Sequence, residues 1–291
     1  MSKDLSKMNS KIKVIAIVGP TASGKTAYSI DLAKQINGEV ISADSRYVYK
    51  GFDIASAKPT LEERDGVPHH LIDIVEPEVD YSVADFYDDA KSKIYEIIER
   101  GKTPIVAGGT GLYFRVLLET YDLPRVEANP ELRAELDSRE KEDLLQELQK
   151  LDPKGYEKVK DANKRRIVRA LEVTKILGKP FSEASIEKEP EFDVEWKMPF
   201  IESREILYER INKRVDEMVE LGVIDETKFL LNKHGRIKNF VCTIGYQEIL
   251  TYLDGEASLE EALDKLKQHT RNYAKRQLTW FRRNPALKID I

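Results

Sequence analysis

The chain has 291 residues, 41% of them hydrophobic and 34% charged, with a formal net charge of −5 and one cysteine. That length supports one large domain or two smaller ones around a sizeable core. The composition excludes an intramolecular disulfide and a cysteine-based zinc cluster, offers no apolar run near the ~18 residues that cross a bilayer, and argues against wholesale coating of nucleic acid.

Met1 to Ser10 is a polar lead-in without the apolar stretch of a secretory signal, so a cytoplasmic protein with no membrane association is expected. Val14 to Val18 is rich in β-branching and predicts a buried strand. It runs into Gly19-Pro20-Thr21-Ala22-Ser23-Gly24-Lys25-Thr26, which fits G-x-x-x-x-G-K-[ST], and Ala27 to Ile36 carries apolar residues at helical spacing. Strand, glycine loop and helix start together make an anion trap. The glycines let several N–H groups converge, the helix dipole adds positive potential, Lys25 brings a full charge, and Thr26 offers a hydroxyl to Mg²⁺. ATP, GTP and a pyrophosphate ester fit such a loop equally.

Glu39 to Ser45 predicts a short strand ending at Asp44. Ligands of open parallel sheets bind beyond the carboxyl ends of the strands, which puts Asp44 on the rim of the phosphate loop. The alternative is an aspartate that caps the following turn. Arg46 to Pro59 reads as irregular, with Tyr47, Tyr49 and Phe52 beside Arg46, Lys50 and Lys58, a mixture suited to base stacking or to a loop packed on its own tyrosines. His69 and His70 precede an edge strand expected over Leu71 to Ile74 and are taken as structural. Val83 to Glu99 predicts an amphipathic helix through Val83, Phe86, Ala90, Ile94, Ile97 and Ile98. Thr103 to Ala107 predicts another buried strand, followed by Gly108-Gly109-Thr110-Gly111 and a helix over Leu112 to Glu119. Thr110 can place an uncharged hydroxyl on the same rim.

Pro124 to Pro199 changes character. Asn129-Pro130, Asp152-Pro153 and Lys179-Pro180 break it into helical stretches near Glu131 to Lys150 and Arg165 to Leu177, with no clear buried strand before its end. Helices are expected again over Ser203 to Leu221, closed by Gly222, and over Leu259 to Phe281. Two basic clusters stand out: seven basic residues without an acid between Lys265 and Arg283, and six against Glu172 between Asn163 and Pro180. The expected fold class is therefore α/β. A P-loop NTPase-like parallel sheet core with a helical C-terminal region spans 11–122 and 200–291, and an inserted all-helical subdomain spans 123–199.

Several blocks taken together resemble the tRNA dimethylallyltransferase (isopentenyl-pyrophosphate transferase) family. They are G-P-T-A-S-G-K-T at 19–26, I-S-A-D-S at 41–45, V-Y-K-G-F-D-I at 48–54, A-K-P at 57–59, P-H-H-L-I-D-I at 68–74 and G-G-T-G-L-Y at 108–113. R-R-I-V-R-A-L-E-V at 165–173, R-I-N-K-R-V at 210–215, I-G-Y at 244–246 and A-K-R-Q-L-T-W-F-R at 274–282 continue the series in order. The resemblance implies transfer of a dimethylallyl group from dimethylallyl pyrophosphate to the exocyclic amine of the adenosine 3′ of the anticodon, with Mg²⁺ as cofactor. The loop from Gly19 to Thr26, Pro20, Ala22 and Ser23 included, then holds a pyrophosphate leaving group and not ATP, with Thr26 on the metal. Asp44 accepts the proton of the amine, Thr21 and Arg214 lie near the pyrophosphate and the reacting groups, and Thr110 meets the incoming nucleotide. The implied tRNA contacts are Asp44, Ser45, Arg46, Tyr47, Thr110, Arg133, Arg165, Arg166, Ile167, Val168, Arg169, Cys242, Thr243, Ile244, Gly245, Tyr246 and Gln247, with the inserted helices clasping the anticodon stem-loop and the enzyme acting as a monomer.

The chain departs from the family pattern at Arg46-Tyr47, where many members have Met-Gln, at Ala55-Ser56, where Gly-Thr is usual, and at Gln247, where a basic residue is frequent. The absence of a Cys/His zinc finger after the core points to the bacterial type. Three other readings of the residues stay open: a P-loop small-molecule kinase, a non-catalytic nucleotide-dependent RNA-binding module, and prenylation of free adenine nucleotides. The kinase has no use for the helical insertion and the basic clusters, and free-nucleotide prenylation would not need the basic surfaces at 163–180 and 265–283.

Overall fold

The computed structural model describes residues 11–119, 124, 126–184, 189–289 and 291, so Met1 to Ser10 lies outside it. The chain divides into two compact units, one made of Met1–Leu118 with Glu191–Ile291 in its described part, the other of Glu119–Pro190.

The first unit grows around β1 (Ile12–Val18), whose residues 14 to 18 are all buried. Such a run needs cover on both faces, which a parallel sheet with helices on each side provides. α1 (Lys25–Ile36), β2 (Gly38–Ser42), β3 (His69–His70), α2 (Val83–Glu99), β4 (Thr103–Gly108) and α3 (Gly111–Leu118) follow in the chain. Val14, Ala16 and Val18 pack with Phe86, Ala90 and Ile94 of α2 and Phe114 and Leu117 of α3. The alternate residues Ile15 and Ile17 pack with Ile30 and Ala33 of α1 on the other face. Ser82 and Asp85 close a reciprocal capping box that fixes the start of α2 at the expected residue.

The expected edge strand over Leu71 to Ile74 does not form. The strand is His69–His70 itself, paired with Val40 and Ile41, and it stops because Leu71 and Asp73 take left-handed backbone angles (φ 61° and 56°). Lys58 holds that turn through the Tyr49 carbonyl and the carboxylates of Asp53 and Asp73.

The second unit holds α4 (Pro130–Ser138), α5 (Lys141–Leu151), α6 (Pro153–Val159), α7 (Lys164–Leu177) and α8 (Phe181–Ala184). The single helix expected over 131–150 is two, since Arg139 and Glu140 are extended. Side chains claim the last carbonyls of α4: Ser138 Oγ donates to the Glu135 carbonyl and Lys164 Nζ to that of Asp137. The core of this unit is Leu136, Leu144, Leu148, Ile167, Val168 and Leu171. Beside it lies fully buried Glu172, which accepts from Arg133 at 2.8 and 3.0 Å, from Arg169 at 2.5 Å and from the Asn129 N–H at 2.9 Å. Burial by itself would raise the Glu172 carboxyl, but these donors hold it below the ordinary carboxylate range. Glu172→Ala is expected to destabilise this unit by about 2–3 kcal/mol, below the value for a wholly buried pair because the arginines keep access to water. A thermal melt unchanged from wild type would contradict this.

The chain then returns to the first unit through β5 (Phe192–Lys197), α9 (Arg204–Glu220), α10 (Val223–His234), α11 (Lys238–Val241), α12 (Tyr246–Leu253) and α13 (Leu259–Phe281). β5 was not expected, and residues 192–197 belong to the sheet rather than to the helical insertion. It pairs in parallel with β1 from Ile12↔Phe192 to Ile17↔Lys197 and closes the order β3-β2-β4-β1-β5. Only Phe192 of this strand is buried, so an edge position leaves the sequence FDVEWK without a continuous apolar run. Val48, Tyr49 and Phe52 form a further core with Phe240, Tyr246 and Ile249, so two of the three aromatics of the 46–59 segment serve packing and not base stacking. Among the described residues no helix is long and apolar enough to cross a membrane.

Candidate active site

One cavity of about 1100 Å³ opens at the carboxyl ends of β1, β2 and β4, entirely within the first unit. The phosphate loop forms one wall. Gly24 caps α1 in a left-handed conformation (φ 83°) and supplies no side chain to the first-turn N–H groups, which leaves them available to an anion. Lys25 Nζ donates to the Pro20 carbonyl at 2.6 Å. Burial drives the Lys25 ammonium down to about 7, with the Asp44 carboxylate opposing that shift and Arg214 adding to it. Ser23 Oγ is buried on the same wall with no hydrogen-bond partner among the described residues.

Arg214, delivered by α9, reaches across. Its Nη1 donates to Thr21 Oγ1 and its Nη2 to the Ala57 carbonyl, both at 3.3 Å. The same carbonyl accepts from the Tyr47 hydroxyl at 2.8 Å. Thr21, Lys25, Tyr47 and Arg214 thus line one side of the cavity, although Arg214 lies 193 residues from Thr21 in the chain.

Asp44 stands just past β2. One carboxylate oxygen accepts from the Arg46 N–H at 2.9 Å, so the residue does cap its own turn, and it lines the cavity as well. Thr110 Oγ1 accepts from the Ser45 N–H and the Thr110 N–H donates to the Ala43 carbonyl, each at 3.1 Å. These bonds tie the second glycine loop to the end of β2. Tyr273 of α13 lines the cavity as well, and the Arg276 guanidinium lies 5.7 Å from the centroid of its ring.

The segment from Cys242 to Gln247 divides. Cys242, Thr243, Ile244 and Gln247 line the cavity, with Cys242 Sγ 3.7 Å from Arg46 Nη2. Tyr246 is wholly buried, its hydroxyl donating to Glu226 at 2.7 Å, and Glu226 also accepts from the N–H groups of Ile54 and Ala55. Gly245 is likewise inside, giving its N–H to Glu248. In the helical unit Arg165 and Arg166 are exposed, whereas Ile167 and Val168 are core. The side chains of Ile167, Val168 and Tyr246 therefore have no surface to offer an RNA. Arg133 and Arg169 are engaged by Glu172.

Further residues reach the cavity, among them His69, which the sequence marks only as structural. His69 lines it: Nδ1 bonds the Val67 carbonyl at 2.8 Å, Nε2 is buried without a partner among the described residues, and burial lowers the ring's pKa. Tyr273, Arg276 and Gln277 come from α13, whose other basic residues are partly spent on α9, Lys267 on Asp216 and Arg271 on Asn212. For Arg276 and Gln277 the signal was the block at 274–282, in which Gln277 falls on the same helix face as Ala274, Leu278 and Phe281.

The profile of the IPP transferase family matches residues 47–284. A tRNA dimethylallyltransferase of Carboxydothermus hydrogenoformans is 48% identical over 283 residues, covering 95% of this chain and 91% of the relative. The chain belongs to the tRNA dimethylallyltransferase family. The fold agrees with solved members. A full-length tRNA isopentenylpyrophosphate transferase of Bacillus halodurans superposes with a TM-score of 0.70 at 47% identity, over 95% of this chain and 88% of that one. A eukaryotic dimethylallyltransferase seen acting on tRNA gives 0.82 at 33% identity, over 93% and 70%. Membership makes the chain an enzyme, a prenyl transferase with a P-loop-like α/β core, and sets aside the small-molecule kinase.

Proposed function

We propose that the chain moves a dimethylallyl group from dimethylallyl pyrophosphate to the exocyclic amine of the adenosine 3′ of the anticodon in tRNA. The observation that carries this reading is the meeting, in one cavity, of a cationic anion trap with a carboxylate that has an oxygen to spare. Lys25, Arg214 and the first-turn N–H groups of α1 face the leaving diphosphate, which takes the electron pair of the breaking C–O bond. The amine nitrogen forms the new C–N bond and gives its proton to Asp44, whose other oxygen keeps the Arg46 N–H. An adenosine in the anticodon loop reaches this point only once turned out of its stack.

Mg²⁺ fits the donor set. Among the described residues no cluster of three or more His, Cys, Asp or Glu could cage a metal, but Thr26 and the Asp44 rim line a polar wall beside the unpartnered Ser23 hydroxyl. A hard ion that keeps most of its waters and binds through one protein hydroxyl and the diphosphate matches that wall. Bound there, it would neutralise charge growing on the leaving group.

Purified protein with Mg²⁺, radiolabelled dimethylallyl pyrophosphate and unmodified tRNA should place label in the tRNA. Label in free adenine nucleotides instead would favour the free-nucleotide reading. The tRNA surface is assigned to the exposed Arg165 and Arg166. Reversing both to glutamate should lower tRNA affinity and flatten its salt dependence by about two counterions' worth of slope, and an unaltered slope would place the RNA elsewhere. A cytoplasmic monomer meets both substrates and completes the reading.

A further inference from the structure

Gln277 is buried on α13, with only 5% of its surface exposed, and both ends of its carboxamide are spent on backbone. Oε1 accepts from the Thr21 N–H at 2.9 Å, and Nε2 donates to the Gly109 carbonyl at 3.0 Å. The orientation is forced, because a reversed amide would set donor against donor at Thr21 and acceptor against acceptor at Gly109. Position 109 has no room for a side chain: a Cβ there would lie 2.1 Å from Gln277 Nε2.

The two partners belong to different loops. Thr21 is in the anion trap and is held by Arg214, while Gly109 precedes Thr110, which fixes Ser45 and with it the neighbourhood of Asp44. A continuous series of contacts therefore runs from the diphosphate side of the cavity to the carboxylate side, and Gln277 is its middle member. We propose that Gln277 is a positioning residue that sets the spacing between the two glycine loops, and so between the leaving diphosphate and the accepting amine. This inference rests on the prenyl-transfer reading. Reacting atoms must come within about 3–3.5 Å of each other, and a misplacement of about 1 Å costs on the order of 10²-fold in rate. Neither half of the site is built from Gln277 itself, so each half should still bind its own substrate after Gln277 is replaced.

The test uses Gln277→Met, which keeps the length and loses both hydrogen bonds, and Gln277→Glu, which keeps the acceptor for Thr21 but has no donor for Gly109. Gln277→Met should lower kcat by about 10- to 100-fold. KM for dimethylallyl pyrophosphate, the Kd of inorganic pyrophosphate and the Kd of tRNA should stay within about threefold, as expected when only relative placement is lost. Gln277→Glu should lower kcat similarly and also weaken pyrophosphate, since it adds a negative charge beside the trap. A second readout is independent of turnover: pyrophosphate should slow hydrogen exchange over residues 107–112 in the wild type and fail to do so in Gln277→Met. In Gln277→Met, unchanged kcat, or a kcat loss matched by an equal loss of pyrophosphate affinity, overturns the proposal. If Gln277→Met does not fold, Gln277→Asn, too short to span both partners, is judged by the same measurements. A wild type that binds pyrophosphate without prenylating tRNA would sink the prenyl-transfer reading, and the exchange measurement would still decide the role of Gln277.

Discussion

Asp44→Asn is expected to slow prenyl transfer by about 10²–10⁴-fold while leaving tRNA affinity within a few fold. The asparagine is nearly isosteric, and its carbonyl oxygen can go on accepting from the Arg46 N–H, so the turn that follows β2 should survive. What disappears is the ability to take a proton from the amine as the C–N bond forms. The carboxylate has a second effect, because its charge works against the burial that lowers the Lys25 pKa. Removing that charge should lower the Lys25 pKa further and weaken diphosphate binding at alkaline pH. Single-turnover rates are therefore best compared at saturating diphosphate, whose negative charge favours the protonated Lys25 in both proteins. A variant that matches the wild type under those conditions would strip Asp44 of its role.

The parts of the site that are local in the chain were legible in the sequence. The phosphate loop is one: the strand ending at Val18 and the helix beginning at Lys25 hold all its groups within eight residues, so spacing alone predicts where they point. Helix α2 is another, because its capping box and apolar stripe are written in consecutive turns. The rest is set by long-range packing. Tyr49 and Phe52 resemble stacking platforms in isolation and turn inward only because α10, α11 and α12 bring Phe240 and Tyr246 against them. Ile167 and Val168 sit in a basic block, yet they and Leu171 face Leu136 and Leu144 and so cannot serve RNA contact. Gln277 lies 256 residues from Thr21, and nothing near either position signals the bond between them. His69 could be read only as one of a pair, whereas the register of β3 on β2 sends it to the cavity and leaves His70 to Glu39.

Lys25→Ala is expected to weaken binding of the allylic diphosphate by about 10- to 150-fold at pH 6.5, the span that corresponds to a charge-assisted hydrogen bond of about 1.5–3 kcal/mol. The pH dependence identifies the group responsible. Burial holds the free ammonium at about 7, so near neutrality part of the protein carries an uncharged Lys25. A bound diphosphate places negative charge beside that nitrogen and raises its pKa, so binding takes up a proton. The sign follows: affinity is full below pH 7, where Lys25 is already charged, and it falls as the pH rises through that value. The fall reaches up to about tenfold per unit until the pKa of the bound form is reached. The window from pH 7 to 9 is clean for dimethylallyl pyrophosphate, an ester whose terminal phosphate has its last ionisation near pH ~6 and no longer titrates there. Calorimetry of dimethylallyl pyrophosphate without metal or tRNA, in two buffers of different ionisation enthalpy, should record proton uptake in the wild type and none in Lys25→Ala. Affinity in the variant should be nearly flat over the same window. Equal proton uptake in both proteins would place the titrating group elsewhere, and unchanged affinity in Lys25→Ala would remove this lysine from the grip on the leaving group.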